Sequence, residues 1–328
     1  MPTATARPTG TRSATTERAV AFVAERRDEA ERLGAALAED THDPEAFAAA
    51  LHAALDRLAD PGYRDGQAMV APGLGPVFGV RWPLLAAIGR GFRRATRGEP
   101  TGPWLFLADR LMREDRLEPH WFAFGLLERT LAEEPERTWQ LLRRAARDAA
   151  DWITVDSLAH PYARGIQDEP YRWAELELLV YSPSRWERRL IGSTIATMTH
   201  GARGKRLGSS IVASALPILD QLIGDAEPDV QKALAWAYRS LAAVDREATT
   251  EALTAEAARA VADDDGHRAW VIRDALTKLD RTVANDLKTQ LAGIRKRSGT
   301  PSTSSAAATA ARFGPLPDPR SHPEPPLG

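Results

Sequence analysis

Trp152 and Asp156 stand four residues apart in the run Asp151-Trp152-Ile153-Thr154-Val155-Asp156. On a helix that spacing projects both side chains from one face. An indole face beside a carboxylate suits a cation, because the ring quadrupole and the ionised acid both attract positive charge. A plainer account fits the same pair, with the indole in a core and the acid solvated or capping. Trp186 and Trp236, two more of the nine tryptophans, also lie close to ionisable residues.

The basic residues form two groups. Residues 81 to 97 carry Arg81, Arg90, Arg93, Arg94 and Arg97 with no acid between them, and Arg185, Arg188, Arg189, Arg203, Lys205 and Arg206 crowd a later stretch. The formal net charge is only −2, which excludes bulk basicity of the histone kind. Phosphate binding depends on local density, which a near-neutral total permits. The run Gly201 to Arg206 reads as a basic loop able to straddle a nucleic-acid backbone, or as a solvated turn.

Other chemistry loses its markers. With no cysteine in 328 residues, disulfide scaffolds, zinc-thiolate sites, iron-sulfur clusters and thiolate nucleophiles are excluded. The seven histidines, at 42, 52, 120, 160, 200, 267 and 322, show no metal-ligand spacing. No glycine-rich phosphate loop and no Gly-x-Ser-x-Gly elbow occurs. The N-terminus shows Arg7 and Arg12 without an apolar stretch behind them, and no apolar run of membrane-spanning length exists. The expectation is a soluble intracellular protein.

The elements that must position these residues are helical. Residues 17 to 37 place Val20, Phe22, Val23, Ala30 and Leu33 along one stripe, with charged residues interleaved. Prolines behind an acid or serine, at 44, 119, 135, 170, 183 and 228, mark helix starts, since proline's missing N–H is unpaired there anyway. Three segments look alike: Trp186 to Ile191, Val230 to Ala235 and Trp270 to Ala275, beginning 44 and then 40 residues apart. That period in helix pairs predicts an all-α fold, a HEAT-like α-solenoid of stacked antiparallel helix pairs whose concave face binds. An irregular helical bundle is the alternative. The folded domain is placed at 16–296. Residues 1–15 and the proline-rich 297–328 are expected to be disordered tails, having too little apolar content to offset ordering entropy.

At this point the sequence resembles the AlkD-type DNA alkylation repair glycosylases. The likeness covers roughly residues 60 to 280, including the stretch Tyr63 to Arg94 with Phe78-Gly79-Val80-Arg81 followed by Pro83. Trp152 to Asp156 is similar to that family's Trp-x-x-Val-Asp, Trp186 to Arg189 to its Trp-x-x-Arg, and Lys232 to Trp236 to its Lys-Ala-x-x-Trp. It departs at Asp151, where an aromatic is common, and in its preference for arginine over lysine.

The resemblance implies hydrolysis of the N-glycosidic bond of N3- or N7-alkylated purines in duplex DNA, with no cofactor and no metal. Asp156 would stabilise charge at the sugar and orient water. Trp152 and Trp236 would flank the deoxyribose, and Arg189, in the active cleft, would hold phosphate. Arg188, Arg203, Lys205, Arg206, Arg90, Arg93, Arg94 and Lys232 would contact DNA. The protein would act as a monomer in the cytoplasm, on the nucleoid of a bacterium. A non-catalytic protein recognising bent or branched DNA, and a protein-interaction scaffold, are the rival readings.

Overall fold

The computed structural model describes residues 14–70 and 75–313. Among them every regular element is helical, as the periodicity predicts. They fall into two compact units that divide between Leu126 and Leu127, where the sequence suggests one domain.

The first unit holds α1 (Ala14–Ala36), α2 (Pro44–Leu58), α3 (Pro61–Val70), α4 (Trp82–Ala95), α5 (Gly102–Leu111) and most of α6 (Leu117–Thr130). Asp43 caps α2 by accepting from the amides of Glu45 and Ala46 at 3.1 and 3.0 Å, with Pro44 at the first helical position. α1 and α4 pack almost backbone to backbone: a Cβ on Gly91 would lie 2.0 Å from the carbonyl oxygen of Glu31. Val20, at the outer end of the predicted stripe, is 49% exposed. Fully buried Glu118 accepts from three successive amides, Phe78, Gly79 and Val80, at 2.9, 2.7 and 3.0 Å. That carboxylate fixes the Gly-hydrophobic-basic segment, whose cationic Arg81 then pairs with Asp60 at 2.8 Å.

The second unit holds α7 (Pro135–Asp148), α8 (Trp152–Asp168), α9 (Trp173–Leu179), α10 (Arg185–Met198), α11 (Gly201–Arg206) and α12 (Gly208–Leu222). Beyond these come α13 (Pro228–Leu241), α14 (Arg246–Ala262), α15 (Gly266–Ala275), α16 (Arg281–Gln290) and α17 (Ser305–Ala310). Helices α8, α10, α13 and α15 stack side by side in that order. They run parallel, because early residues bond to early residues and late to late. Arg189 reaches the Asp229 carbonyl, 40 residues on, and Arg239 the Asp274 carboxylate, 35 residues on. The three look-alike segments are the starts or bodies of α10, α13 and α15. Stacking on a neighbour is how each buries its apolar face, the arrangement of an α-solenoid.

Two expectations change here. Residues 297–313, placed in a disordered tail, are packed: Thr303 donates its amide to the Gly224 carbonyl at 2.8 Å and its hydroxyl to Asp265 at 2.6 Å, and α17 lies on α12 with Ala306 buried. Composition argued against order, but main-chain bonds and small alanines need little apolar bulk. The predicted tails at residues 1–13 and 314–328 lie outside the described residues, while Ala14 and Thr15 already belong to α1. The Gly201–Arg206 segment is the short helix α11 rather than a loop.

Candidate active site

Asp151 starts the site by starting its helix. Its Oδ1 accepts from the amides of Ile153 and Thr154 at 2.8 and 2.9 Å, and its Oδ2 from the Thr154 hydroxyl at 2.6 Å. Such a cap contributes about 1 kcal/mol and sets where the first turn begins. Trp152 is therefore the first residue of α8, with Asp156 and His160 each one turn further on the same face.

α10 supplies the partners. Arg189 donates Nε to Asp156 Oδ1 at 3.1 Å, Nη2 to Oδ2 at 2.8 Å, and Nη1 to the Asp229 carbonyl in the first turn of α13 at 2.8 Å. Ser193, one turn after Arg189, donates its hydroxyl to Asp156 Oδ1 at 2.6 Å. The Arg189 guanidinium also sits over the Trp152 ring, 5.8 Å from its centroid. Arg189 is 7% exposed and the Asp156 carboxylate 22%, so the pair is sunk in the surface with the acid still reached by solvent. The approach of α10 to α13 needs Gly192, since a Cβ there would lie 2.6 Å from the Ala233 carbonyl carbon.

On α13, Asp229, Lys232 and Trp236 share one stripe, Lys232 three and Trp236 seven residues beyond Asp229. By helix rise Trp236 is about 10 Å along the axis from the level of Arg189. Its ring meets that of His200, just past the end of α10, at 6.3 Å. Partial burial lowers the pKa of His160, with His200 acting in the same sense and Glu128 and Asp156 opposing.

Of the four expected central residues, Trp152, Asp156 and Arg189 are brought together through Arg189, which bonds Asp156 and sits over the Trp152 ring. Trp236 lies further along the stripe, against His200. The remaining basic residues divide. Lys205, Arg206 and Lys232 are exposed and form no ion pair among the described residues. Arg203 holds the end of α8, through Asp168 at 2.6 Å and the Gln167 carbonyl at 2.7 Å. Arg188 pairs with buried Asp225 at 2.7 Å and donates to the carbonyls of Ser182 and Pro183, so its guanidinium braces the start of α10. Arg90 and Arg94, in the first unit, both bond Glu31 of α1 at 3.2 Å. Arg93, on the same helix, comes near Gly89.

Sequence reasoning passed over Ser193, His160, His200 and Asp229. The first had a signal, a hydroxyl one helical turn from Arg189, and His160 had the same spacing from Asp156. Among the described residues no cluster of acids and histidines suits a metal, and no helix is long and apolar enough to cross a membrane. A cavity of about 930 Å³ lined by Tyr181, Pro183, Leu222 and Ala307, among others, contains none of Trp152, Asp156, Arg189 or Trp236.

The comparison with curated proteins returns no match. A family model described as DNA alkylation repair enzyme matches residues 51–279, a span that takes in the whole Trp152, Asp156, Arg189 and Trp236 set. On that match over more than half its length, the chain belongs to the DNA alkylation repair enzyme family.

Proposed function

We propose that the protein is a DNA glycosylase that hydrolyses the N-glycosidic bond of N3- or N7-alkylated purines in duplex DNA. One observation carries this reading. In a member of a DNA alkylation repair family, a solvent-reached carboxylate, Asp156, is held in a fixed plane by an arginine, Arg189, whose guanidinium also sits over an indole, Trp152, one helical turn before the acid.

Alkylation at N3 or N7 makes the purine cationic, so the base leaves with the bonding electron pair and needs no proton from a general acid. The barrier lies in the sugar, which becomes oxocarbenium-like as the bond lengthens. A fixed anion where that charge develops is often the largest catalytic contribution. Asp156 supplies it and orients the water that adds to the anomeric carbon, whose surplus proton passes to the carboxylate or to solvent. Trp152 favours the same cation through its π face, by roughly 0.5 to 2 kcal/mol. It already holds the Arg189 guanidinium in that way. Trp236 borders the stripe further along α13, where a duplex lying across the parallel helices would meet it.

Lys232, Lys205 and Arg206 are the cations whose exposure suits phosphate. The stacking of α8, α10, α13 and α15 at intervals near 40 residues supports the HEAT-like reading of this binding face. The sugar-centred chemistry needs no base-sized pocket. We place the enzyme as a monomer acting on duplex DNA in the cytoplasm.

The test is Asp156→Asn. Release of 7-methylguanine or 3-methyladenine from methylated duplex DNA should fall about a hundredfold or more, while duplex binding persists. Undiminished release would remove Asp156 from this role. Binding without any release by the unaltered protein would favour a non-catalytic DNA-binding role.

A further inference from the structure

A carboxylate has two oxygens and about four lone-pair directions. At Asp156 these are filled unequally. Oδ1 accepts twice, from Arg189 Nε at 3.1 Å and Ser193 Oγ at 2.6 Å, whereas Oδ2 accepts once, from Arg189 Nη2 at 2.8 Å. The arginine fork alone treats the two oxygens alike. It fixes the plane of the carboxylate but leaves either edge able to face the substrate. Ser193 breaks that symmetry by closing Oδ1.

The hydroxyl is used unusually for a helix. Serine and threonine within helices commonly turn back to the carbonyl four residues earlier, and two neighbours do so: Ser157 to Ile153 at 2.8 Å on α8, and Thr197 to Ser193 at 2.8 Å on α10. Ser193 instead reaches from α10 across to α8. It is fully buried, next to the Gly192 contact that brings α10 against α13, so water cannot replace its hydroxyl.

We infer that Ser193 is a positioning residue which closes Asp156 Oδ1, so that Oδ2 is the oxygen presented to the sugar and the attacking water. This rests on the glycosylase reading and extends it to a residue one shell behind the reacting atoms. Ser193 touches neither sugar nor base. Its effect belongs to the chemical step, through the angle at which Oδ2 meets the anomeric carbon.

The experiment compares the full chain with Ser193→Ala and Ser193→Thr in single-turnover base release from methylated duplex DNA, after thermal melts establish that each variant is folded. A second readout, without DNA, is hydrogen exchange of the Arg189 Nε–H. For Ser193→Ala the release rate at saturating protein should fall about tenfold, as for loss of one hydrogen bond to a charged group. The half-saturating concentration should stay within about twofold and Arg189 Nε–H should exchange faster. Ser193→Thr, which keeps the hydroxyl, should recover most of the rate.

A release rate and exchange rate in folded Ser193→Ala equal to those of the unaltered chain would overturn the inference, and so would an equal loss in folded Ser193→Thr. If Asp156→Asn abolishes release and Ser193→Ala does not alter it, only the role of Ser193 fails. If the unaltered protein releases no base, the glycosylase reading fails with it.

Discussion

Arg189 separates two uses of a cation near DNA. The sequence suggests a phosphate contact, while the structure places the guanidinium on Asp156, the Asp229 carbonyl and the Trp152 ring. Arg189→Met keeps much of the side chain's bulk and removes all three hydrogen bonds. Breaking one side of a buried ion pair costs about 3 to 5 kcal/mol. Asp156 keeps its bond from Ser193 and 22% exposure, so rehydration lowers the expected loss to about 2 to 3 kcal/mol. In the double variant with Asp156→Asn no charge is left stranded, and the two losses should fall short of additive by about 1 to 2 kcal/mol. Urea denaturation of the four proteins measures this.

The functional readout is the salt dependence of duplex binding. A residue that neutralises one phosphate contributes about 0.9 to the slope of log affinity against log salt. Arg189→Met should leave the slope unchanged and lower the rate of base release about as far as Asp156→Asn does. A slope smaller by about 0.9, with the release rate at saturation intact, would refute this and restore Arg189 to a phosphate.

Lys232→Ala, Lys205→Ala and Arg206→Ala should each lower that same slope by about 0.9 with little change in stability, whereas Arg188→Ala should leave the slope alone and lower the melting temperature by stranding buried Asp225. A reduced slope in Arg188→Ala would reverse that assignment. Gly192→Ala forces a methyl against the Ala233 backbone and should destabilise by about 1 to 3 kcal/mol while weakening base release. Full activity at full stability would show that α10 and α13 can move apart freely. Burial first, and then Asp220 beside it, lift the carboxyl of Glu256 from 4.5 to about 7 against the opposing pull of Arg268. The folded chain therefore holds a proton that the unfolded chain has lost, and stability should fall as pH rises from about 4.5 to 7, by at most about 3 kcal/mol. Urea midpoints at pH 5 and 8 should show that Glu256→Gln loses this part of the fall. An equal fall in both proteins would place its origin elsewhere.

The helices and the site's spine were legible because both depend on short-range periodicity. Pro44, Pro135 and Pro228 do stand at the first positions of α2, α7 and α13, and Trp152 and Asp156 share a face for the reason their spacing gives. What sequence could not supply is where a long cation ends. Arg188 and Arg189 are neighbours, yet about 100° of helix rotation sends one to buried Asp225 and the other to Asp156. Arg203 likewise reads as a loop cation until α11 forms and turns it onto Asp168. Each partner lies more than 30 residues away, so the choice is made by helix stacking. Residues 297–313 were misjudged because order there rests on bonds to the Gly224 carbonyl from the Thr303 amide and the Ser302 and Thr303 hydroxyls, which composition does not register.

An acid tied to an arginine looks a poor catalyst for a cationic transition state, and distance shows why it need not be. With an effective dielectric of about 20, a carboxylate about 3.5 Å from a sugar cation attracts it by roughly 5 kcal/mol, and a guanidinium about 4 Å further back repels it by roughly 2. More than half of the attraction survives at contact. At the longer range of the phosphate backbone the two charges nearly cancel, so the site does not repel the duplex it must approach. An unpaired carboxylate held at the same place would attract the sugar cation more strongly, but without Arg189 it loses the plane that aims it and opposes the binding of every phosphate that passes it. On the proposed reading, the Arg189–Asp156 pair confines a negative field to a few ångströms around Oδ2. That is why the bond from Ser193, which chooses which oxygen faces outward, bears on the chemical step rather than on affinity.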